Sequence, residues 1–251
     1  TPEDAHATFD DVTVRLELDY RVNDDVLLFA SYNRGSKSGG YSFSTGTPFA
    51  DGVAGTPLGT NSQFLNGIPF DPEVLDAYEV GIKSTIGGTT TFNASAFYYD
   101  YEDYQAFVQL GYNQTVINLP VDDIVLPDAV TEVKHDMPQA PDFSGNALAR
   151  YEFALGGGMA FVQGDVLYTD DFCFTVLCAP VEKESSYAVA NARIGYGAEN
   201  GQWQVAAFVD NFTEEEYRVY AFDSSLFAGV VAGVYAKPRT YGVTASFRFG
   251  S

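Results

Sequence analysis

The sequence predicts an all-β fold, an antiparallel transmembrane β-barrel section of about nine strands. Three observations carry that expectation. Apolar and polar residues alternate in segments of about ten residues, the length of a tilted membrane-crossing strand. The connections alternate between tight turns at 23–25, 87–88, 156–158 and 198–201 and long loops between them. Aromatic residues gather at strand ends, with small aliphatic residues at mid-strand. Soluble sandwiches mix their connection lengths, whereas membrane barrels set short periplasmic turns against long extracellular loops.

Each element follows from its own residues. Over 12–22 the side chains of Val12, Val14, Leu16, Leu18, Tyr20 and Val22 share one face, and Thr13, Arg15, Glu17, Asp19 and Arg21 share the other. After the Asn-Asp-Asp turn, 26–34 reads as the returning strand of a hairpin. A Gly-, Ser- and Pro-rich stretch covers about 36–75. A strand is expected over 78–86, closed by Gly87 and Gly88, and a longer one from Thr89 to about Ala106. The Pro-containing segment 108–141 reads as irregular. Strands follow at 143–155 and 159–169, then a cysteine-bearing loop, then 187–196 and 202–212 across Ala-Glu-Asn-Gly. A long stretch, 213–237, leads to the last strand, in which Tyr241, Val243, Ala245, Phe247 and Phe249 alternate with Gly242, Thr244, Ser246 and Arg248.

The apolar faces are expected to meet lipid and the polar faces a lumen. Tyr20, Tyr151, Phe153, Tyr196 and Trp203 stand near the short turns and form an interfacial girdle. Along 202–210, Val205, Ala207 and Val209 are expected toward lipid, and Gln202, Gln204 and Asp210 toward the lumen. Phe208 then falls on the lumen side, an awkward place for an aromatic ring. Nine strands leave two open edges, because single-chain bacterial barrels close with even numbers.

The formal charge of −21, from 34 acidic and 13 basic residues, argues against nucleic acid as a partner. There is no long apolar run of the kind a membrane helix needs, and a secretion signal is either absent or upstream. Cys173 and Cys178 lie in a loop. A short-range disulfide fits an oxidising compartment, and two reduced thiols are the alternative.

Five stretches carry a family resemblance in order: F-D-D-V-T-V-R-L-E-L-D-Y at 9–20, L-F-A-S-Y-N-R-G-S-K-S-G-G-Y-S at 28–42, P-F-D-P-E-V-L-D-A-Y-E-V-G-I-K-S at 69–84, V-D-N-F-T-E-E-E-Y at 209–217 and P-R-T-Y-G-V-T-A-S-F-R-F at 238–249. Together they resemble the barrel of TonB-dependent outer-membrane receptors. The resemblance implies a 22-stranded barrel with a plugged lumen, of which residues 1–251 are the C-terminal portion, the plug domain being absent. It also implies outer-membrane lipid, missing N-terminal strands, a plug and, through it, the TonB complex as partners. The implied ligand is a scarce small molecule such as a ferric siderophore, and the implied location is the outer membrane of a Gram-negative bacterium. The sequence departs from the family where a further strand pair would precede Pro141-Asp142-Phe143.

No catalytic constellation is visible, since His6 lies near the chain start and His135 in a polar loop, and an enzyme is not expected. No cofactor motif stands out, and the acidic runs at 122–123, 170–171 and 214–216 match no calcium-loop spacing. The loop aromatics Tyr41, Phe43, Tyr104, Phe107 and Tyr112 are candidates for gripping a ligand at the outer mouth. They could equally pack loop on loop. Two other functions fit parts of the pattern. A passive porin-like channel would lack an upstream plug, and a soluble secreted β-sandwich would bury its apolar face against a second sheet.

Overall fold

The computed structural model describes residues 8–42, 68–110, 113–119, 121–126, 129–133, 137–175, 178–224 and 230–248. Its frame is one nine-stranded antiparallel sheet in which every strand pairs with its sequence neighbour in the sheet. The strands are β1 (Val14–Asn23), β2 (Val26–Lys37), β3 (Glu73–Ile86), β4 (Thr90–Glu102), β5 (Phe143–Leu155), β6 (Gly158–Thr169), β7 (Tyr187–Gly197), β8 (Trp203–Asp210) and β9 (Thr240–Phe247). No helix occurs among the described residues. The turns that close β3–β4 and β5–β6 need backbone that only glycine adopts freely, and Gly87, Gly88, Gly156 and Gly157 hold φ of 59°, 69°, 57° and 84° there.

Partners in an antiparallel ladder share a face, so the register traces each face across the sheet. One row runs Leu18, Ala30, Val80, Ala96 and Gly145. Another runs Ala149, Gly164, Ala192 and Val209. Among the described residues nothing covers this apolar face: Leu18 is 68% exposed, Ile194 60% and Val243 70%. Among the described residues the buried apolar ones are few, and Ala106, Cys173, Phe174 and Ala221 lie outside the sheet. A sandwich would bury the same face against a second sheet, and none lies on it among the described residues.

Both ends of the apolar face carry rings. Near the short turns Tyr151 stacks on Phe153 at 5.5 Å and Tyr196 meets Trp203 edge-on at 5.8 Å. At the long-loop end Tyr32, Tyr78 and Tyr98 stand in one cross-strand row, with ring centroids 5.1 and 6.1 Å apart. Phe143 and Tyr168 extend that row at 5.9 Å. Phe143 to Phe153 is ten residues of one strand, about 33 Å along the chain. Tilted by about 40°, that spans about 25 Å, the height of an outer-membrane apolar band.

The structure corrects the sequence reading outside the sheet. Segment 108–141 is not irregular throughout: Tyr104–Leu110 pairs with Asn113–Leu119, and Val121–Leu126 with Ala129–Val133. These are separate ribbons and add no strand to the wall. Strand β4 stops at Glu102 rather than continuing to Ala106, because Asp103 turns the chain with φ of 52°. Strand β3 begins at Glu73, five residues before the predicted start. The stretch 213–237 holds a further ribbon, Arg218–Ser224 against Val230–Tyr235.

Candidate functional site: the polar face and its mouth

The second face of the sheet is polar because it takes the alternate residues. Asn93, Ser95, Asn146, Asp165 and Asn191 line it, and Asn191 Nδ2 donates to Asp165 Oδ2 at 2.7 Å. Arg150 pairs with Glu152 at 2.6 Å, and Arg193 lies 3.9 Å from Asp210. Gln204 and Asp210 share this face, while Val205, Ala207 and Val209 stand on the apolar one. Ala207 is exposed and, among the described residues, packs against no second sheet.

Where this face reaches the long loops, tyrosines replace the amides and carboxylates. Tyr99 and Tyr101 alternate with Tyr98 and so share the polar face of β4. Tyr104 meets Tyr101 edge-on at 6.3 Å. Across the sheet Tyr187, at the start of β7, stacks on Tyr217 at 4.3 Å with the ring planes 16° apart. Burial raises the Tyr104 phenol above its ordinary value, and the nearby Glu73 carboxylate adds to the effect. Burial likewise raises Tyr217, with Tyr187 contributing.

Three polar knots fix the loops that bear these rings. Gln105, buried, donates from Nε2 to the carbonyls of Ser38 and Asp71 at 2.9 and 3.0 Å, while its own N–H donates to Glu73 Oε2. Asn211, in left-handed backbone with φ of 52°, donates from Nδ2 to Glu215 O and accepts from Glu215 N, both at 2.9 Å. Arg218 donates to Glu184 Oε2 at 2.6 Å and to the carbonyls of Val181 and Lys183, with its guanidinium over the Phe174 ring. The loop it clamps holds Cys173 and Cys178, whose Cα atoms are 5.3 Å apart and whose sulfurs are joined. Glu182, almost fully buried, accepts from Thr175 Oγ1 at 2.6 Å and Ala179 N at 3.0 Å.

The sequence-predicted loop aromatics divide. Tyr104 lies at the mouth beside Tyr101. Tyr41 is half-buried in a short ribbon opposite Pro69. Phe107 sits in the ribbon opposite Val116. Phe43 and Tyr112, together with His6 and His135, lie outside the described residues. The structure adds Tyr99, Tyr101, Tyr187 and Tyr217, which sequence reading missed. Period-two alternation already put Tyr99 and Tyr101 on the polar face, but the Tyr187–Tyr217 stack joins residues that only the fold brings together. The acidic runs are partly neutralised, Asp171 by Lys183 and Glu214 by Arg239, each at 2.7 Å. No cluster of three metal-ligating side chains occurs among the described residues. Among the described residues the mouth therefore offers phenol rings, hydroxyls and carboxylates for binding.

Comparison with known proteins agrees with this geometry. Residues 2–125 match the family model described as TonB dependent receptor-like, beta-barrel. Among solved structures, the ferric yersiniabactin uptake receptor FyuA from Yersinia pestis is similar over 94% of this chain and 37% of its own, with 16% identity and a TM-score of 0.52. The siderophore receptor PiuA from Acinetobacter baumannii is similar over 91% of this chain and 26% of its own, with 16% identity and a TM-score of 0.59. This chain thus spans about a quarter to just over a third of the length of those receptors. No curated protein matches the chain.

Proposed function

We propose that this chain, whose residues 2–125 match the TonB-dependent receptor β-barrel family model, forms part of the wall of an outer-membrane importer. The observation that carries the proposal is the pairing of two faces on one sheet. An uncovered apolar band lies between two rows of rings, and a hydrogen-bonded polar face lies behind it. Such a sheet is stable with lipid on one side and water or a polar plug on the other.

The wall is completed by further strands. Strands β1 and β9 run in the same direction, so they cannot pair antiparallel with each other, and an odd number of added strands closes the barrel. A plug within the completed barrel, coupled to the TonB complex, makes uptake energy-dependent. The ligand is a small molecule, with a ferric siderophore as the leading candidate, gripped in part by Tyr99, Tyr101, Tyr104, Tyr187 and Tyr217 at the outer mouth. The protein resides in the outer membrane of a Gram-negative bacterium and has no enzymatic role.

Growth under iron limitation on a panel of ferric siderophores tests this, with the complete protein expressed in hosts with and without TonB. Growth that requires both the protein and TonB is the expected result. Solute entry that is independent of TonB and scales only with solute size would replace the importer with a passive channel.

A further inference from the structure

Besides Phe97 on β4, which stands opposite Glu79 and Ser144, three phenylalanines lie on the polar face, where lumen-facing positions favour polar side chains: Phe29 on β2, Phe161 on β6 and Phe208 on β8. Each stands directly opposite a glycine of the next strand, namely Gly81, Gly195 and Gly242. The ring lies over the glycine. A Cβ added at Gly242 would sit 2.9 Å from Phe208 Cζ, and at Gly81 and Gly195 the rings of Phe29 and Phe161 come closer still. A cation attends each ring: Lys83 Nζ at 5.1 Å from the Phe29 centroid, the Arg150 guanidinium at 3.7 Å from Phe161 and that of Arg193 at 5.8 Å from Phe208. At these separations the ring quadrupole attracts the cation.

The three joints share a place in the connectivity. Tight turns join β1–β2, β3–β4, β5–β6 and β7–β8, and turn geometry sets register there. Long connections join β2–β3, β4–β5, β6–β7 and β8–β9, and nothing local sets register there. Alternation forbids an odd slip, because it would turn every apolar residue to the polar face. A slip of two residues keeps every residue on its face, so the pattern alone permits it. All three phenylalanine–glycine joints fall on long-connection pairs. The fourth such pair, β4–β5, has Asn146 Nδ2 donating to Ser95 Oγ at 3.0 Å between directly opposed residues. No ring covers a glycine of its turn partner at any turn-closed pair among the described residues.

We propose that these joints are register locks, which select one alignment wherever the connecting loop cannot. A slip of two would bring Phe29 onto Glu79 or Lys83, and Phe208 onto Thr240 or Thr244, where side chains occupy the space the ring needs. Phe161 would meet the Arg193 side chain in one direction and Gly197 in the other, and against the second slip the pair is held by Asn191 Nδ2 donating to the directly opposed Asp165. Register summed around a barrel sets its stagger and diameter. The locks therefore also fix how the mouth tyrosines of distant strands face one another.

Paired cysteines in the complete protein, with Cys173 and Cys178 replaced by serine, read the register. Ala207→Cys with Val243→Cys reports the native β8–β9 alignment, and Ala207→Cys with Ala245→Cys reports a slip of two. Ile194→Cys with Ala207→Cys reports the turn-closed β7–β8 pair. Phe208→Ala is expected to lose the native β8–β9 crosslink and to gain the slipped one, with the β7–β8 crosslink unchanged. Phe208→Tyr is expected to keep the native pattern. An unchanged native crosslink in Phe208→Ala overturns the proposal, as does equal loss from both strand pairs. Glycine variants give a second reading. Gly242→Ala is expected to lower the heat-modifiable folded fraction and to be rescued by adding Phe208→Ala. Gly164→Ala, whose nearest neighbour would be Asn191 O at 3.8 Å, is expected to fold as the parent does. If Gly242→Ala assembles as well as Gly164→Ala, the ring is not a lock.

Discussion

Ala147→Arg is the substitution most sensitive to what the apolar face meets. Ala147 lies midway along β5, four residues from Phe143 at one ring row and four from Tyr151 at the other. Its direct partners are Ala94 on β4 and Val166 on β6, and Gly145 and Ala149 flank it on the same face. None of these side chains can accept a hydrogen bond from a guanidinium. An arginine at the bilayer midplane of a barrel costs about 2–4 kcal/mol. At about 1.4 kcal/mol per decade, that is about a 30- to 700-fold loss in the folding equilibrium. Asn146→Arg is the matched control. Asn146 is the preceding residue on the opposite face, exposed beside Ser95, and arginine there is expected to change stability by less than about 1 kcal/mol. Urea titration of the protein reconstituted in vesicles measures both, with the folded fraction read as the heat-modifiable band. Equal cost at 146 and 147, or a cost at 147 that is no larger in lipid than in detergent, would refute a lipid-facing apolar side.

Three further outcomes follow from the mouth. Thiol labelling of the native protein without reductant is expected to leave Cys173 and Cys178 unmodified, and stoichiometric labelling of both would rule out the bond. Arg218→Ala removes the donor to Glu184 and to two carbonyls of the cysteine-bearing loop, so protease cleavage within 173–184 should quicken while the heat-modifiable wall persists; unchanged cleavage would mean that the clamp does not hold the loop. The Tyr217 phenol, raised mainly by burial, should ionise above the ordinary tyrosine value of about 10. Because the folded state favours the neutral ring, its contribution is full below the ordinary value and is lost as pH rises through the raised one. A phenolate-absorbance difference titration against Tyr217→Phe measures this, and ionisation at or below the ordinary value would contradict it.

The wall was legible because a sheet with one apolar and one polar face imposes a period of two on every strand, and that period survives even where hydrogen-bonding partners are unknown. Strand β5 was predicted with the bounds it has, since Gly156-Gly157 and Pro141 punctuate it on both sides. The start of β3 was missed because Asp71-Pro72 and Asp76 read as loop, although the Asp76 carboxylate is held by Tyr32 and Arg34 across the ladder. The ribbons at 104–133 and 218–235 were missed because their strands are only five to seven residues long and carry no ten-residue alternation. Phe208 defied the pattern for a reason that lies on another strand. Gly242, its partner, is reached only through the long connection 211–239, and no local signal couples the two. The mouth was half legible: Tyr104 stood out as a loop aromatic, whereas the Tyr187–Tyr217 stack needs β7 and the segment after β8 brought together in space.

The most direct test of the account is a spin-label accessibility scan along β8 in vesicles, one position at a time from 204 to 210 with Cys173 and Cys178 replaced. Labels at Val205, Ala207 and Val209 are predicted to collide with lipid-soluble oxygen and to be shielded from a water-soluble nickel complex. Labels at Gln204 and Asp210 are predicted to show the opposite preference. A scan without that period of two, or with Ala207 shielded from both reagents as in a protein core, would contradict a membrane wall.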